Sequence, residues 1–217
     1  MPFFWYFTLM IERIFVSGSE AALPALDNRN PDAMVQARLK ALLWRATNLA
    51  MESAFSYGKD LPVGATVASG DWIVGRYFAS DNRNGYRQMH AEYMASMDAR
   101  MNQLRSGTGA PDTVVVTLEP CDNCQDFLAT IPSLKRVGFG LPRKAASDRG
   151  LIKPHDETIF QRALRVGLPY EVVQIDDTDL IEAGSIILHY TQRNRETESV
   201  EVDHLGLQKA LTELKGR

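Results

Sequence analysis

Four residues in two short segments of this chain have side chains suited to chemistry. The only two cysteines, Cys121 and Cys124, lie in "TLEPCDNC" at 117–124, spaced C-x-x-C behind a proline. His90 and Glu92 lie earlier, in the triplet "HAE". Thiolates and imidazole nitrogens bind zinc, and a carboxylate can transfer protons. Three interpretations compete for the cysteines: a redox pair, part of a metal site, or two buried apolar side chains.

The predicted elements bring the two segments together. His90 begins a predicted helix that follows a hairpin, and Cys121 and Cys124 begin the next helix, after the β-branched strand "TVVVTL". Loops at one edge of an α/β sheet converge on a common crevice. Three N and S ligands leave a fourth position open, which is the arrangement of a catalytic zinc. Glu92, two residues after His90 on the helix, points elsewhere and is predicted to transfer protons rather than to bind metal.

The other interpretations explain less of the pattern. A thioredoxin-type redox pair belongs to a βαβ unit and has no H-x-E partner. Buried structural cysteines are common, but they do not explain the placement Pro-Cys-x-x-Cys. The remaining histidines, His155, His189 and His204, have no such partners and are interpreted as ordinary residues. The metal site is therefore the favoured interpretation.

The hydrophobic pattern predicts the order α-β-β-α-β-α-β-α-β. The last three strands are separated by helices, which favours parallel pairing, whereas the hairpin around Ser-Gly-Asp is antiparallel. We expect a three-layer α/β/α sandwich with a mixed five-stranded sheet. The predicted helices cover 32–55, 90–104, 121–131 and 156–167, and the predicted strands lie in 61–80, 112–118, 135–141 and 170–175.

The chain divides into three predicted parts: an N-terminal leader at 1–31, a catalytic domain at 32–176 and a C-terminal helical extension at 177–217. The extension is expected to pack on the core or on a partner subunit through Leu180, Ile181, Ile186, Ile187 and Leu188.

The apolar opening "MPFFWYFTLM" has no basic n-region and is soon interrupted by Glu12 and Arg13. It does not fit a signal peptide or a membrane span, and it is interpreted as a buried strand or as sequence ahead of a true start at Met10. Two cysteines exclude a disulfide framework, so we expect a cytoplasmic protein.

The two motifs together carry a family resemblance. "HAE" at 90–92 with "PCDNC" at 120–124 resembles the zinc-dependent cytidine deaminase superfamily, whose signature is H-x-E…P-C-x-x-C. "LPVGATV" at 61–67 and "TLEPC" at 117–121 are more similar to its tRNA-adenosine, guanine and cytosine deaminase branch. The resemblance covers about residues 33–176. It implies a cytidine deaminase-like fold and Zn²⁺ held by His90, Cys121 and Cys124, with Glu92 as the proton carrier.

The resemblance also implies substrate contacts. The backbone N–H of Ala91 would contact the base, and an asparagine ahead of H-x-E would hydrogen-bond to it. The spacing of related deaminases falls on Ala79 here, so Asn82, or else Asn84, is the candidate. The implied reaction is hydrolytic deamination, in which water adds to an amino-substituted ring carbon and ammonia leaves.

The numbers of acidic and basic residues help to choose between a nucleic-acid substrate and a small molecule. The formal net charge is -3, and residues 50–160 contain 12 Lys and Arg against 13 Asp and Glu. Nucleic-acid affinity depends on neutralising phosphates, so this balance favours a free nucleobase, nucleoside or nucleotide. The first alternative is a tRNA adenosine deaminase, because "RVGFGLPRKAASDRG" is loosely similar to such enzymes; the second is a non-catalytic binding module. We expect a homodimer and no association with membranes.

Overall fold

The computed structural model describes residues 31–57, 61–79, 89–154, 157–196 and 204–215. Residues 1–30 of the predicted leader, Asn82, Asn84 and His155 lie outside this part of the chain. The described helices are α1 (Pro31–Tyr57), α2 (Ala91–Ser106), α3 (Asp122–Ala129), α4 (Arg143–Asp148), α5 (Ile159–Val166), α6 (Thr178–Glu196) and α7 (His204–Lys215). The strands are β1 (Gly64–Ser69), β2 (Trp72–Phe78), β3 (Thr113–Leu118), β4 (Arg136–Leu141) and β5 (Glu171–Gln174).

The five strands form one mixed sheet in the order β2-β1-β3-β4-β5. β1 is antiparallel to both β2 and β3, while β3, β4 and β5 run parallel. The β1–β2 turn places Gly70 at φ 53, in the left-handed region that glycine adopts without strain. The predicted mixed five-stranded sheet, with its antiparallel hairpin, is confirmed.

Helices cover both faces of the sheet, as a three-layer sandwich requires. On one face, α2, α3 and α5 pack on alternate strand residues that include Val114, Val116 and Phe139. On the other face, α1 and α6 pack around Val115. Strands buried on both faces read as continuous apolar runs, and every residue of β3 is buried.

The helix that begins with the H-x-E motif lies very close to the edge strand β2. An ideal Cβ at Gly75 of β2 would lie 2.2 Å from the carbonyl oxygen of Ala95 in α2. The outer edge of β2 is also paired with α2, because Asn102 Nδ2 donates to the Val74 carbonyl and the Arg76 N–H donates to Asp98 Oδ2. These contacts fix α2 against the edge of the sheet.

The C-terminal helices pack on the core of the same chain. Leu180, Ile187 and Leu188 of α6 are buried, and Ile181 and Ile186 are partly buried. α7 adds Leu207 and Leu211 to a cluster shared with α1 and α6. The expectation that this segment packs on the core is confirmed. The one described helix without a sequence prediction is the short α4.

Candidate active site

Two helix N-termini meet at the edge of the sheet where β3 ends. His90 is the N-cap of α2, and Cys121 is the N-cap of α3, each with extended backbone angles. Cys124 lies in the first turn of α3 and is buried. The structure therefore brings together the imidazole and the two thiols that the sequence analysis selected, from segments about 30 residues apart.

The three side chains are in contact. His90 Nδ1 lies 3.1 Å from Cys124 Sγ and 3.4 Å from Cys121 Sγ. The ligand atoms all lie within 4.8 Å of one another, so the three residues could hold a metal ion. In a tetrahedral site with zinc bonds of about 2.1 Å to nitrogen and 2.3 Å to sulfur, the N···S separation is about 3.6 Å. The donor set and its spacing fit zinc.

The Glu92 carboxyl lies beside these three side chains but is not one of the candidate metal ligands. Its side chain is 4% exposed and lies close enough to His90, Cys121 and Cys124 to interact with all three. Burial raises the pKa of the Glu92 carboxyl above its usual value. A raised pKa makes the carboxylate a better proton acceptor, which suits a side chain that takes up and returns protons.

The pKa values of the two thiols are shifted in opposite directions. The hydrogen bond from Cys124, supported by one from His90, lowers the pKa of Cys121. The same bond to Cys121, together with burial, raises the pKa of Cys124. A bound zinc ion would favour the deprotonated form of both cysteines, because zinc binds the thiolate.

The predicted substrate contacts are only partly described. Ala91 is fully buried at the first position of α2, where a backbone N–H has no acceptor within the helix. Asn82 lies outside the described residues. Ala79 is described: its N–H donates to Val63 and its carbonyl accepts from the Ser53 hydroxyl. The methyl side chain of Ala79 offers no hydrogen bond to a substrate.

Glu119 is a buried residue to which the sequence analysis gave no role, although it belongs to "TLEPC". Its Oε2 accepts from the Arg143 N–H at 2.8 Å, and its Oε1 accepts from the Ile159 N–H at 2.5 Å. One carboxylate thus binds the N-termini of α4 and α5 two residues ahead of Cys121. The available signal was an acidic residue between a buried strand and a proline, at the edge where helices begin.

Comparisons with known proteins agree with this fold and site. Residues 37–141 match the family model of the cytidine and deoxycytidylate deaminase zinc-binding region. No curated protein matches the chain.

Solved structures share the fold at low sequence identity. A tRNA:A34 deaminase that performs A-to-I editing at the wobble position matches with a TM-score of 0.51 and 16% identity, over 68% of this chain and 99% of that chain. A guanine deaminase from Nitrosomonas europaea matches with a TM-score of 0.53 and 14% identity, over 73% of this chain and 84% of that chain.

Proposed function

Because the chain belongs to the zinc-dependent cytidine deaminase superfamily, we propose that it is a hydrolytic deaminase that removes an exocyclic amine from a nucleobase. His90, Cys121 and Cys124 are the proposed zinc ligands, and Glu92 is the proposed catalytic acid and base. The observation that carries the proposal is the position of the buried Glu92 carboxyl next to the three ligand side chains. A site that held zinc only for stability would not need this carboxyl.

The chain's own residues supply the steps around the metal. Zinc, when bound, acts as a Lewis acid that lowers the pKa of a water molecule to about 7. Glu92 removes a proton from the attacking water and delivers it to the ring nitrogen. It then takes the remaining proton from the new hydroxyl group and delivers it to the leaving amine, so that ammonia departs and a carbonyl group remains on the ring. Ala91 presents its backbone N–H to the base at the helix N-terminus. Asn82 is the proposed side-chain contact.

The favoured substrate class is a free nucleobase, nucleoside or nucleotide. The nearly equal numbers of acidic and basic residues in 50–160 support this choice over RNA. At the start of α3 two carboxylates, Asp122 and Asp126, pair with the single guanidinium of Arg162, so these groups do not add a basic surface for phosphates. The fold that the chain shares with a tRNA:A34 deaminase keeps tRNA adenosine as the second candidate. Assembly as a homodimer remains part of the proposal.

The experiment is a panel assay of ammonia release. Zinc-loaded protein is incubated separately with free bases, nucleosides, nucleotides and tRNA, and Glu92→Gln serves as the inactive control. We expect release from one small-molecule class, absent with the variant. Release from tRNA alone would establish the second candidate. Zinc-loaded protein that deaminates nothing in the panel would contradict both and favour a binding module.

A further inference from the structure

Gln125 is a polar side chain buried directly behind the two proposed cysteine ligands. It follows Cys124 in α3 and is 1% exposed; the other two buried residues of this helix are the proposed ligand Cys124 and the apolar Leu128. A buried amide is unfavourable unless its hydrogen bonds are made, so apolar residues are the usual choice at such a position. The contacts of Gln125 therefore indicate why this position is polar.

Two hydrogen bonds connect Gln125 to the segment that carries Cys121. Its side-chain Nε2 donates to the carbonyl oxygen of Pro120 at 2.8 Å. Its backbone N–H donates to the carbonyl oxygen of Cys121 at 2.9 Å. Because a carbonyl oxygen can only accept, the amide nitrogen must be the atom that faces Pro120. The first bond fixes the plane of the Pro120–Cys121 peptide, and the second fixes the next carbonyl.

Tyr170 connects Gln125 to the sheet. This buried tyrosine immediately precedes β5, and its hydroxyl donates to the Gln125 carbonyl at 3.2 Å. The turn before Cys121 is thus tied through Gln125 to a residue on the far side of the parallel strands. A displacement of Cys121 would break a chain of buried bonds rather than one surface contact.

The second atom of the amide gives an independent observation. Among the described residues, the buried Gln125 Oε1 has no hydrogen-bond partner. A methionine would fill nearly the same volume and would leave no oxygen unpaired. The glutamine amide therefore has an unpaired Oε1 atom, which is unfavourable, and an Nε2 group that donates to the Pro120 carbonyl. We infer that the hydrogen bond from Nε2 is the reason for a glutamine here.

We propose that Gln125 is a positioning residue of the zinc site, which orients Cys121 through the Pro120 carbonyl. The inference rests on the ligand set of the proposed function. Residues that orient metal ligands without binding the metal change metal affinity by about 10–100-fold when they are replaced. Gln125 acts on the ligand backbone rather than on its sulfur.

The test compares Gln125→Met with Leu128→Ala, a matched control in the same helix. Leu128 is also fully buried but is apolar, so its truncation destabilises α3 without removing a polar contact to the cysteine segment. Zinc affinity is measured by competition with a chromophoric chelator, and the visible spectrum of the Co²⁺-substituted protein reports how thiolates are arranged around the metal. Urea denaturation gives the stability of each variant.

We expect Gln125→Met to fold, to bind zinc about 10–100-fold more weakly and to have an altered Co²⁺ spectrum. Leu128→Ala should unfold at lower urea but keep the wild-type spectrum and affinity. If Gln125→Met does not fold, Gln125→Asn, whose shorter side chain draws the amide away from Pro120, should have the same two effects.

Wild-type affinity and spectrum in a folded Gln125 variant would overturn this inference alone. The same holds if Leu128→Ala weakens zinc binding as much, or if neither Gln125 variant folds, because the residue would then have only a general structural role. Wild-type protein that binds no zinc would instead overturn the ligand assignment, and with it the inference.

Discussion

At the scale of single residues, the proposed site assigns metal binding and proton transfer to different side chains. His90 and Cys121 occupy helix N-caps and Cys124 lies in a first turn, so backbone N–H groups near them favour negatively charged sulfur. Glu92 is buried beside these residues, and burial raises the pKa of its carboxyl. Substitutions can therefore test the proposed metal ligands and the proposed proton carrier separately.

Replacement of Glu92 by glutamine tests proton transfer alone. Gln has nearly the same size but cannot accept a proton from water, so Glu92→Gln should fold and bind zinc while losing activity. Proton transfer by a positioned group contributes about 10²–10⁴ in rate, and we expect a loss at the upper end or beyond because one carboxyl serves both halves of the reaction. Steady-state kinetics and metal analysis check this. Activity within a few-fold of wild type would disprove the mechanism.

Replacement of a ligand tests metal binding. Wild-type protein should contain about one zinc per chain, whereas Cys121→Ser and Cys124→Ser should lose the metal and some stability, because metal binding is coupled to folding. His189→Ala is the control, since His189 is exposed and outside the site. Zinc is measured by elemental analysis, and the melting temperature is recorded with and without a chelator. A fully loaded Cys124→Ser protein would exclude Cys124 as a ligand.

At the scale of elements, helices α2 and α3 are fixed by different means. The backbone of α2 lies close against β2 because Gly75 has no side chain. The segment from β3 into α3 is fixed by hydrogen bonds, from Glu119 to the starts of α4 and α5 and from Gln125 to Pro120. The relative position of His90 and Cys121 depends on both sets of contacts.

Adding a methyl group at Gly75 should disturb α2. An alanine Cβ would lie 2.2 Å from the Ala95 carbonyl oxygen, so α2 must move. We expect Gly75→Ala to destabilise the fold by about 1–3 kcal/mol, as overpacking does. Gly184 of α6 is the control, because a Cβ there meets nothing within 4 Å. Gly184→Ala should be neutral or stabilising by up to about 1 kcal/mol. Urea denaturation measures both, and equal effects would contradict the close packing of α2 on β2.

Replacing the Glu119 carboxylate should loosen two helix starts. In Glu119→Gln one acceptor oxygen becomes an NH₂ group that faces a backbone N–H donor, so a buried hydrogen bond is lost. The expected loss of stability is about 1–3 kcal/mol. Glu171→Gln is the control, since Glu171 pairs with Arg136 at the surface, where such pairs contribute about 0–1 kcal/mol. A Glu119→Gln protein as stable as the control would show that the two helix starts do not depend on the carboxylate.

At the scale of the whole molecule, the C-terminal helices belong to the same packed unit as the sheet. α6 shares one cluster with α1 and β3, and a second with α1 and α7. Among the described residues, none of the helices combines the length and apolar character that a bilayer crossing needs.

Truncating a core side chain of α6 should destabilise the whole fold and not only the C-terminal helices. Ile187 is 0% exposed between α1 and α7, whereas Leu205 of α7 is 80% exposed. We expect Ile187→Ala to cost about 2–5 kcal/mol and Leu205→Ala to stay within about 0.5 kcal/mol of wild type. A single cooperative urea transition in both variants would support one folding unit. A separate early transition in Ile187→Ala, with zinc binding intact, would show that the extension unfolds independently.

The sequence by itself determined the element order, the antiparallel hairpin and the chemical types at the proposed site. These follow from local rules. Strand residues buried on both faces are continuously apolar, Gly70 permits the hairpin turn, and the spacing between Cys121 and Cys124 is read directly from the chain. The resemblance carried by the two motifs added the family, which the match to residues 37–141 supports.

The tertiary structure alone decided the order of the strands, the short helix α4 and the partners of Glu119 and Gln125. Helix α4 has six residues, too few for a hydrophobic period to be recognised. Glu119 bonds to backbone groups 24 and 40 residues away, and Tyr170 reaches Gln125 across 45 residues. Local sequence determines which backbone conformation a segment prefers. A long-range buried hydrogen bond forms only when the fold brings its donor and acceptor together. No local sequence pattern therefore specifies these contacts.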